Sequence, residues 1–207
     1  MPYLLVTPPA SEPLSLQEAK DHLRVDASYT DTDSLILTQI IAARQRAEQL
    51  TRRCLVTQHW KYVADSFPGA SLMGIPLGKV FGMPSHALIL EKSPVASIES
   101  ITYLGMNGIR QTMPATDYIA ELVGEPCRIT PVFGKIWPIP MPQIGAVEVN
   151  FTAGYGDAAA VPEVIKLAIK LMIEAAYDAS FNDKGNLEHE RKMKAAENIL
   201  MPSSVLM

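Results

Sequence analysis

Between Thr57 and Thr152 this chain has several stretches, Trp60 to Ala64 and Val147 to Phe151 among them, in which apolar residues recur at every second position, and on either side of that region they recur every three or four. Side chains alternate across the two faces of a strand but return to one face of a helix after three or four residues. One segment cannot satisfy both periods, so the chain is constrained to helices, then strands, then helices. No internal repeat is evident.

Pro8, Pro9 and Pro13 make residues 1–13 an extended arm. Ser15 then opens a helix over 15–25, with Glu18 three residues on to complete a capping box. A longer helix is expected over 32–54, capped by Asp31, Thr32 or Asp33. Its stripe runs Ile36, Ile40, Ala43, Ala47, Leu50, Cys54, and Leu35, Leu37 and Ile41 widen it. The middle, 57–153, reads as a mainly antiparallel β module. Trp60, Tyr62 and Ala64 alternate with polar neighbours, Asn107-Gly108 marks a hairpin turn, and Val147, Val149 and Phe151 form the cleanest strand. Phe67 to Pro84 and Pro131 to Pro142 follow neither period. Gly154-Tyr155-Gly156 reads as a turn needing positive φ.

A third long helix is expected over 162–180, with Pro162 in its first turn. Only Glu163, Lys166, Lys170, Glu174 and Asp178 interrupt its apolar surface, so most sides must be covered. Residues 182–207 form a separate tail. Leu187 to Leu200 is a charged helix with a thin stripe of Met193, Ala196 and Leu200, marginal without a partner surface.

The chain has 207 residues, 48% hydrophobic and 19% charged. It is long enough to bury roughly 70% of its unfolded surface without a disulfide or metal staple. The formal charge of −4 argues against a nucleic-acid binder, because phosphate neutralisation requires a basic face. Arg191-Lys192-Met193-Lys194 is hemmed in by Glu188, Glu190 and Glu197 and reads as a solvated face. Cys54 and Cys127 lack metal-site or disulfide spacing and read as small core residues in a reducing compartment. Residues 1–13 have no basic start or long apolar run, so no signal peptide is expected. No membrane span is expected either.

Chemistry-bearing patterns are sparse. His22, His59, His86 and His189 fall on different elements, and none lies in HExxH. Glu188-His189-Glu190 cannot converge on one ion from a helix. There is no GxSxG, GxGxxG or phosphate-loop lysine. Asp65, Asp117 and Glu121 are unpaired by any spacing. Trp60 and Trp137 read as core or interface anchors. No catalytic, cofactor-binding or metal-binding residue is assigned.

Order and spacing across the chain carry more than any single piece. The run Leu14-Ser15-Leu16-Gln17-Glu18-Ala19-Lys20-Asp21-His22-Leu23-Arg24-Val25-Asp26 precedes Ile40-Ile41-Ala42-Ala43-Arg44. Glu48, Thr51, Leu55, Gln58 and Trp60 follow, then Ser93-Pro94-Val95-Ala96-Ser97-Ile98. Trp137-Pro138, Ala153-Gly154-Tyr155-Gly156 and Val161-Pro162-Glu163 close the pattern. From about Leu14 to Tyr177 the chain resembles the head–tail connector, or neck adaptor, family of long-tailed bacteriophages and prophages.

The resemblance implies an α+β fold in which N-terminal and C-terminal helices pack together around an inserted β module. It implies a connector domain over 14–181. It also implies a structural, non-enzymatic role in the virion neck, after assembly in the host cytoplasm. Expected partners are further copies of the chain in a ring of about twelve, the portal protein, and the next neck or tail-completion protein. Genomic DNA would pass through without specific binding, and a net-negative subunit suits such a passage.

A ring needs two different complementary patches on each subunit. Ile36, Ile40, Ile41 and Leu50 on one long helix, and Ile165, Ile169 and Met172 on another, are the expected subunit-interface residues. Leu187, Met193 and Leu200 are expected to dock on a partner, with the tail ordering only there. Other readings are a tail-completion or minor capsid protein, a small hydrolase or nucleotide-binding enzyme, and a DNA-binding module.

Overall fold

A computed structural model describes residues 3–68, 86–181 and 186–205. The chain divides into two compact units. One combines Gln58–Gly154 with the N-terminal strand. The other combines Pro9–Thr57 with the chain from Tyr155 onward. Most of the Phe67 to Pro84 segment, like Asn182 to Gly185, lies outside the described residues.

The helical unit begins with α1, Leu16–Leu23. The capping box forms as expected: the Glu18 amide donates to Ser15 Oγ, and the Ser15 amide donates to Glu18 Oε2 at 2.7 Å. Arg24 ends the helix in the left-handed region at φ 57°. Helix α2 spans Asp33–Thr51. Thr32 is its cap by position, but its side chain makes no capping bond. Asp33 instead faces Lys20 Nζ at 2.5 Å. That lysine is buried and also donates to the carbonyls of Ala27 and Tyr29, so one ammonium gathers the α1–α2 connection.

Helix α3, Glu163–Phe181, and helix α4, Asn186–Leu200, complete this unit. Ile36, Ile40, Ala43 and Ala47 of α2 close on Ile165, Ala168, Ile169, Met172 and Ile173 of α3 in a single core. Leu14, Ala19, Ala196 and Leu200 belong to the same cluster. The N-terminal and C-terminal helices thus pack together, as the α+β expectation requires.

The β unit holds a five-stranded antiparallel sheet in the order β1-β2-β8-β4-β5. Its strands are β1 Tyr3–Thr7, β2 Gln58–Ala64, β4 Val95–Leu104, β5 Arg110–Thr112 and β8 Val147–Ala153. A three-stranded sheet, β3-β7-β6, is formed by β3 Leu88–Leu90, β6 Tyr118–Glu121 and β7 Cys127–Pro131. In β8 the alternation is complete: Val147, Val149, Phe151 and Ala153 are buried, and Glu148, Asn150 and Thr152 are not. The arm expected to be only extended is an edge strand, with Tyr3 paired to Tyr62 and Leu5 to Trp60.

The two turns expected from glycine form as read. Gly108 sits at φ 75° in the β4–β5 hairpin. Gly154 and Gly156 hold φ of 131° and 129° where β8 turns towards α3. A side chain is strained in that backbone region, and only glycine enters it freely.

Candidate assembly surfaces

Five of the seven expected interface residues do not reach the surface. Ile36, Ile40, Ile165, Ile169 and Met172 are buried in the chain's own helical core, and Leu50 is half-buried against it. The reason is geometric. A stripe with alternating spacings of three and four marks the face that the nearest neighbour covers, and here that neighbour is the other helix of the same chain. Ile41 alone is open, at 42% exposure. Leu37 lies one turn before it on the same face and is equally open. On α3 Val164 and Leu167 in the first turns are open, as is Phe181 at the far end. Thus α3 is covered on most sides within the chain, and a residual apolar flank remains.

The tail also departs from expectation. Helix α4 packs on the chain itself: Leu200 and Ala196 are buried and Met193 rests against the core. Lys192 Nζ donates to Glu174 at 2.9 Å and Asp178 at 2.5 Å, and Arg46 pairs with Glu197. Beyond α4, Val205 is buried and its amide donates to the Thr51 carbonyl. The thin stripe suffices because α3 and α2 supply the partner surface in the same chain. Leu187 alone of the three expected docking residues stays bare.

Several large apolar side chains open to solvent lie in the β unit, in the segment between β7 and β8. Its backbone is pinned. The Val132 amide donates to the Asp117 carbonyl, the Met141 amide to the Leu104 carbonyl, and the Gly145 amide to the Asp65 carboxylate. Trp137 is buried, stacks on Phe67 at 4.6 Å and 5°, and donates its indole N–H to the His86 carbonyl at 2.6 Å. From this fixed frame Phe133, Ile136, Ile139 and Ile144 point outward. Phe133 is fully exposed, Ile136 is 83% exposed and Ile144 87%. The segment's one charged residue, Lys135, is neutralised by an ion pair with Asp117. Sequence periodicity missed this crest because its prolines impose a path with no regular inside and outside.

Two gatherings of ionisable groups bring a histidine onto a carboxylate. On the open face of the five-stranded sheet, His59 Nδ1 lies 2.7 Å from Glu99 Oε1 and 3.2 Å from Thr152 Oγ1. The Thr152 hydroxyl donates to the same Glu99 oxygen at 2.6 Å. A relay would need the carboxylate on one ring nitrogen and the hydroxyl on the other. Here both use Nδ1, and the hydroxyl's proton is already committed to Glu99. The carboxyl of Glu99 is held below its usual range, first by the Thr152 hydroxyl and then by His59. The arrangement is a cross-strand cluster that stabilises a carboxylate.

In the helical unit a cleft of about 470 Å³ is lined by His22, Arg24, Glu174, Tyr177 and Asp178. Its carboxylates are taken up: Glu174 holds His22 at 3.1 Å and, with Asp178, holds Lys192. Glu188 and Glu190 are exposed, and His189 turns to the Ala175 carbonyl. Among the described residues no group of three or more His, Cys, Asp or Glu could hold a metal. Cys54 and Cys127 are buried, as expected, and burial pushes the Cys127 thiol up to about 11. Among the described residues no helix is long and apolar enough to cross a membrane.

No protein-family model matches the sequence, and neither does any curated protein. Solved structures do match in fold over the full chain. A chain from the neck of an empty gene transfer agent particle, reconstructed with C6 symmetry, aligns with TM-score 0.72 and 19% identity. The alignment covers 100% of this chain and 97% of that one. A chain from the virion of a native gene transfer agent particle aligns at 0.71 and 20% identity, with the same coverage. A chain from the neck of a native particle, reconstructed with C12 symmetry, aligns at 0.68 and 20% identity, again over 100% and 97%. The fold of this chain, in both its helical and its β parts, is that of these neck and virion chains.

Proposed function

We propose that this chain is a structural adaptor in the neck of a tailed phage or phage-like particle, working as a ring subunit and not as a catalyst. The observation that carries this is the full-length fold likeness to chains in gene transfer agent necks. Those necks were reconstructed with sixfold and twelvefold symmetry, which supports a ring of copies here. The portal protein on one side and the next neck or tail component on the other are the partners this reading assigns.

The chain's own surfaces support the reading. Exposed apolar patches of several large side chains mark association sites. The crest at Phe133, Ile136, Ile139 and Ile144 is held by hydrogen bonds before any partner arrives, which removes much of the ordering cost of binding. The flanks at Leu37 and Ile41 and at Val164 and Leu167 offer two further patches. The formal charge of −4 suits a passage through which DNA slides, because a basic lumen would hold phosphates.

The test is imaging of the purified chain, alone and mixed with the portal protein of its own particle, by negative-stain microscopy with light scattering. Closed rings seated on portal are expected. A monomer that ignores portal but captures tail-tube protein would replace this reading with a tail-completion role. The variant Phe133→Ser with Ile136→Ser should keep its melting temperature and lose docking.

A further inference from the structure

We infer that neighbouring copies join through the two open edges of the five-stranded sheet, β1 of one copy adding alongside β5 of the next. This rests on the ring reading and specifies which surface closes the ring.

Natural sheets protect their edges with lysines, prolines or a covering segment, because a bare edge recruits other strands. Strand β1 lacks the first two within its length. Its Leu4, Leu5 and Val6 are apolar and open in succession, at 58%, 40% and 54% exposure. At the far edge, all three residues of β5 are exposed, and the hairpin leading into it carries open Met106 and Ile109. One edge of the sheet is therefore itself apolar and bare, and the other is a polar, exposed strand with open apolar residues in the hairpin beside it.

The backbone of β5 is poised for this. The Met113 amide donates to the Ile101 carbonyl, and the Gly105 amide donates to the Ile109 carbonyl. With Thr112 opposite Thr102 and Arg110 opposite Leu104, the alternation of an antiparallel ladder leaves the N–H and C=O of Arg110 and Thr112 directed away from β4. Four successive antiparallel pairings separate β1 from β5, so the two strands run in the same direction. A neighbour related by rotation about a ring axis presents its β1 to β5 in parallel. The contact is heterologous, edge one against edge two, and it repeats until the ring closes. Pairing of β1 with another β1 would be twofold and would stop at a dimer.

Register places Leu4 opposite Lys61, and Thr112 opposite Thr102, on the face that carries Glu148. The full chain with Leu4→Cys and Thr112→Cys, oxidised and run without reductant, should give a ladder of linked copies. Leu5→Cys with Thr112→Cys puts the thiols on opposite faces and should link poorly. Thr112→Pro removes one outward donor without breaking a bond to β4, and should weaken assembly roughly fivefold to tenfold while circular dichroism stays unchanged. Rings that form normally in Thr112→Pro and stay unlinked in the same-face pair would overturn the inference and leave the adaptor reading standing. Leu4→Cys alone trapping only dimers would overturn it in favour of a twofold edge. Absence of rings with and without portal, in the unaltered chain, would sink the adaptor reading itself.

Discussion

Lys192 of α4 holds its ammonium 2.9 Å from the carboxylate of Glu174 on α3. The link joins two helices separated by the short 182–185 segment, and it lies beside the apolar contact of Leu200 and Ala196 with the same core. The C-terminal helix is therefore part of the helical unit's stability. Removing residues 186–207 should lower the unfolding midpoint of the helical unit in urea. Leu200→Ala alone should cost about 2–5 kcal/mol, because it empties a fully buried site. Leu187→Ala, at an open position, should stay within about 0.5 kcal/mol of the parent. Equal effects from the two substitutions would contradict the packing.

Lys20 is buried and its charge is met by Asp33 and two backbone carbonyls. Lys20→Met keeps the stem and removes all three partners' donor. Loss of hydrogen bonds to a charged group, leaving acceptors unmet, should cost about 2–3 kcal/mol by chemical denaturation. A neutral result would mean that water replaces the ammonium without penalty.

Trp137 fixes the crest through its stack on Phe67 and its bond to the His86 carbonyl. Trp137→Ala should destabilise the β unit by about 3–5 kcal/mol. Hydrogen exchange of the Met141 and Gly145 amides should rise with it. Phe133→Ser should leave both measurements alone, since that ring touches solvent only.

Glu18 has its carboxyl held below the usual range, first by the Ser15 amide and next by the Ser15 hydroxyl. A folded pKa below the unfolded one, roughly 4.3, means the contribution is complete above that value. It fades as pH falls towards and through the lowered folded pKa. Urea midpoints of the parent should therefore fall with acid more steeply than those of Glu18→Gln in that window. At neutral pH, Ser15→Ala should cost about 1 kcal/mol through loss of the cap. Parallel pH profiles for parent and Glu18→Gln would remove the capping box from the account.

Local chemistry and period were readable in the one-dimensional chain. The capping box at Ser15 and Glu18, the positive-φ glycines 108, 154 and 156, and the alternation of β8 all depend on neighbours within a few residues. So does the order of helices, strands and helices, because each period belongs to one kind of backbone. Which apolar face is covered, and by what, depends on distant residues. Ile36 and Ile165 were expected at a surface between subunits, and both lie in the helical core of one chain, since a periodic stripe marks a face to be buried without naming its cover. The tail stripe at Met193 and Leu200 found its cover on α2 and α3 for the same reason. The arm at Tyr3–Thr7 became a strand only because β2 offered it an edge. The crest of Phe133 and Ile136 could emerge only in three dimensions, where Trp137 turns inward and its neighbours are left facing out.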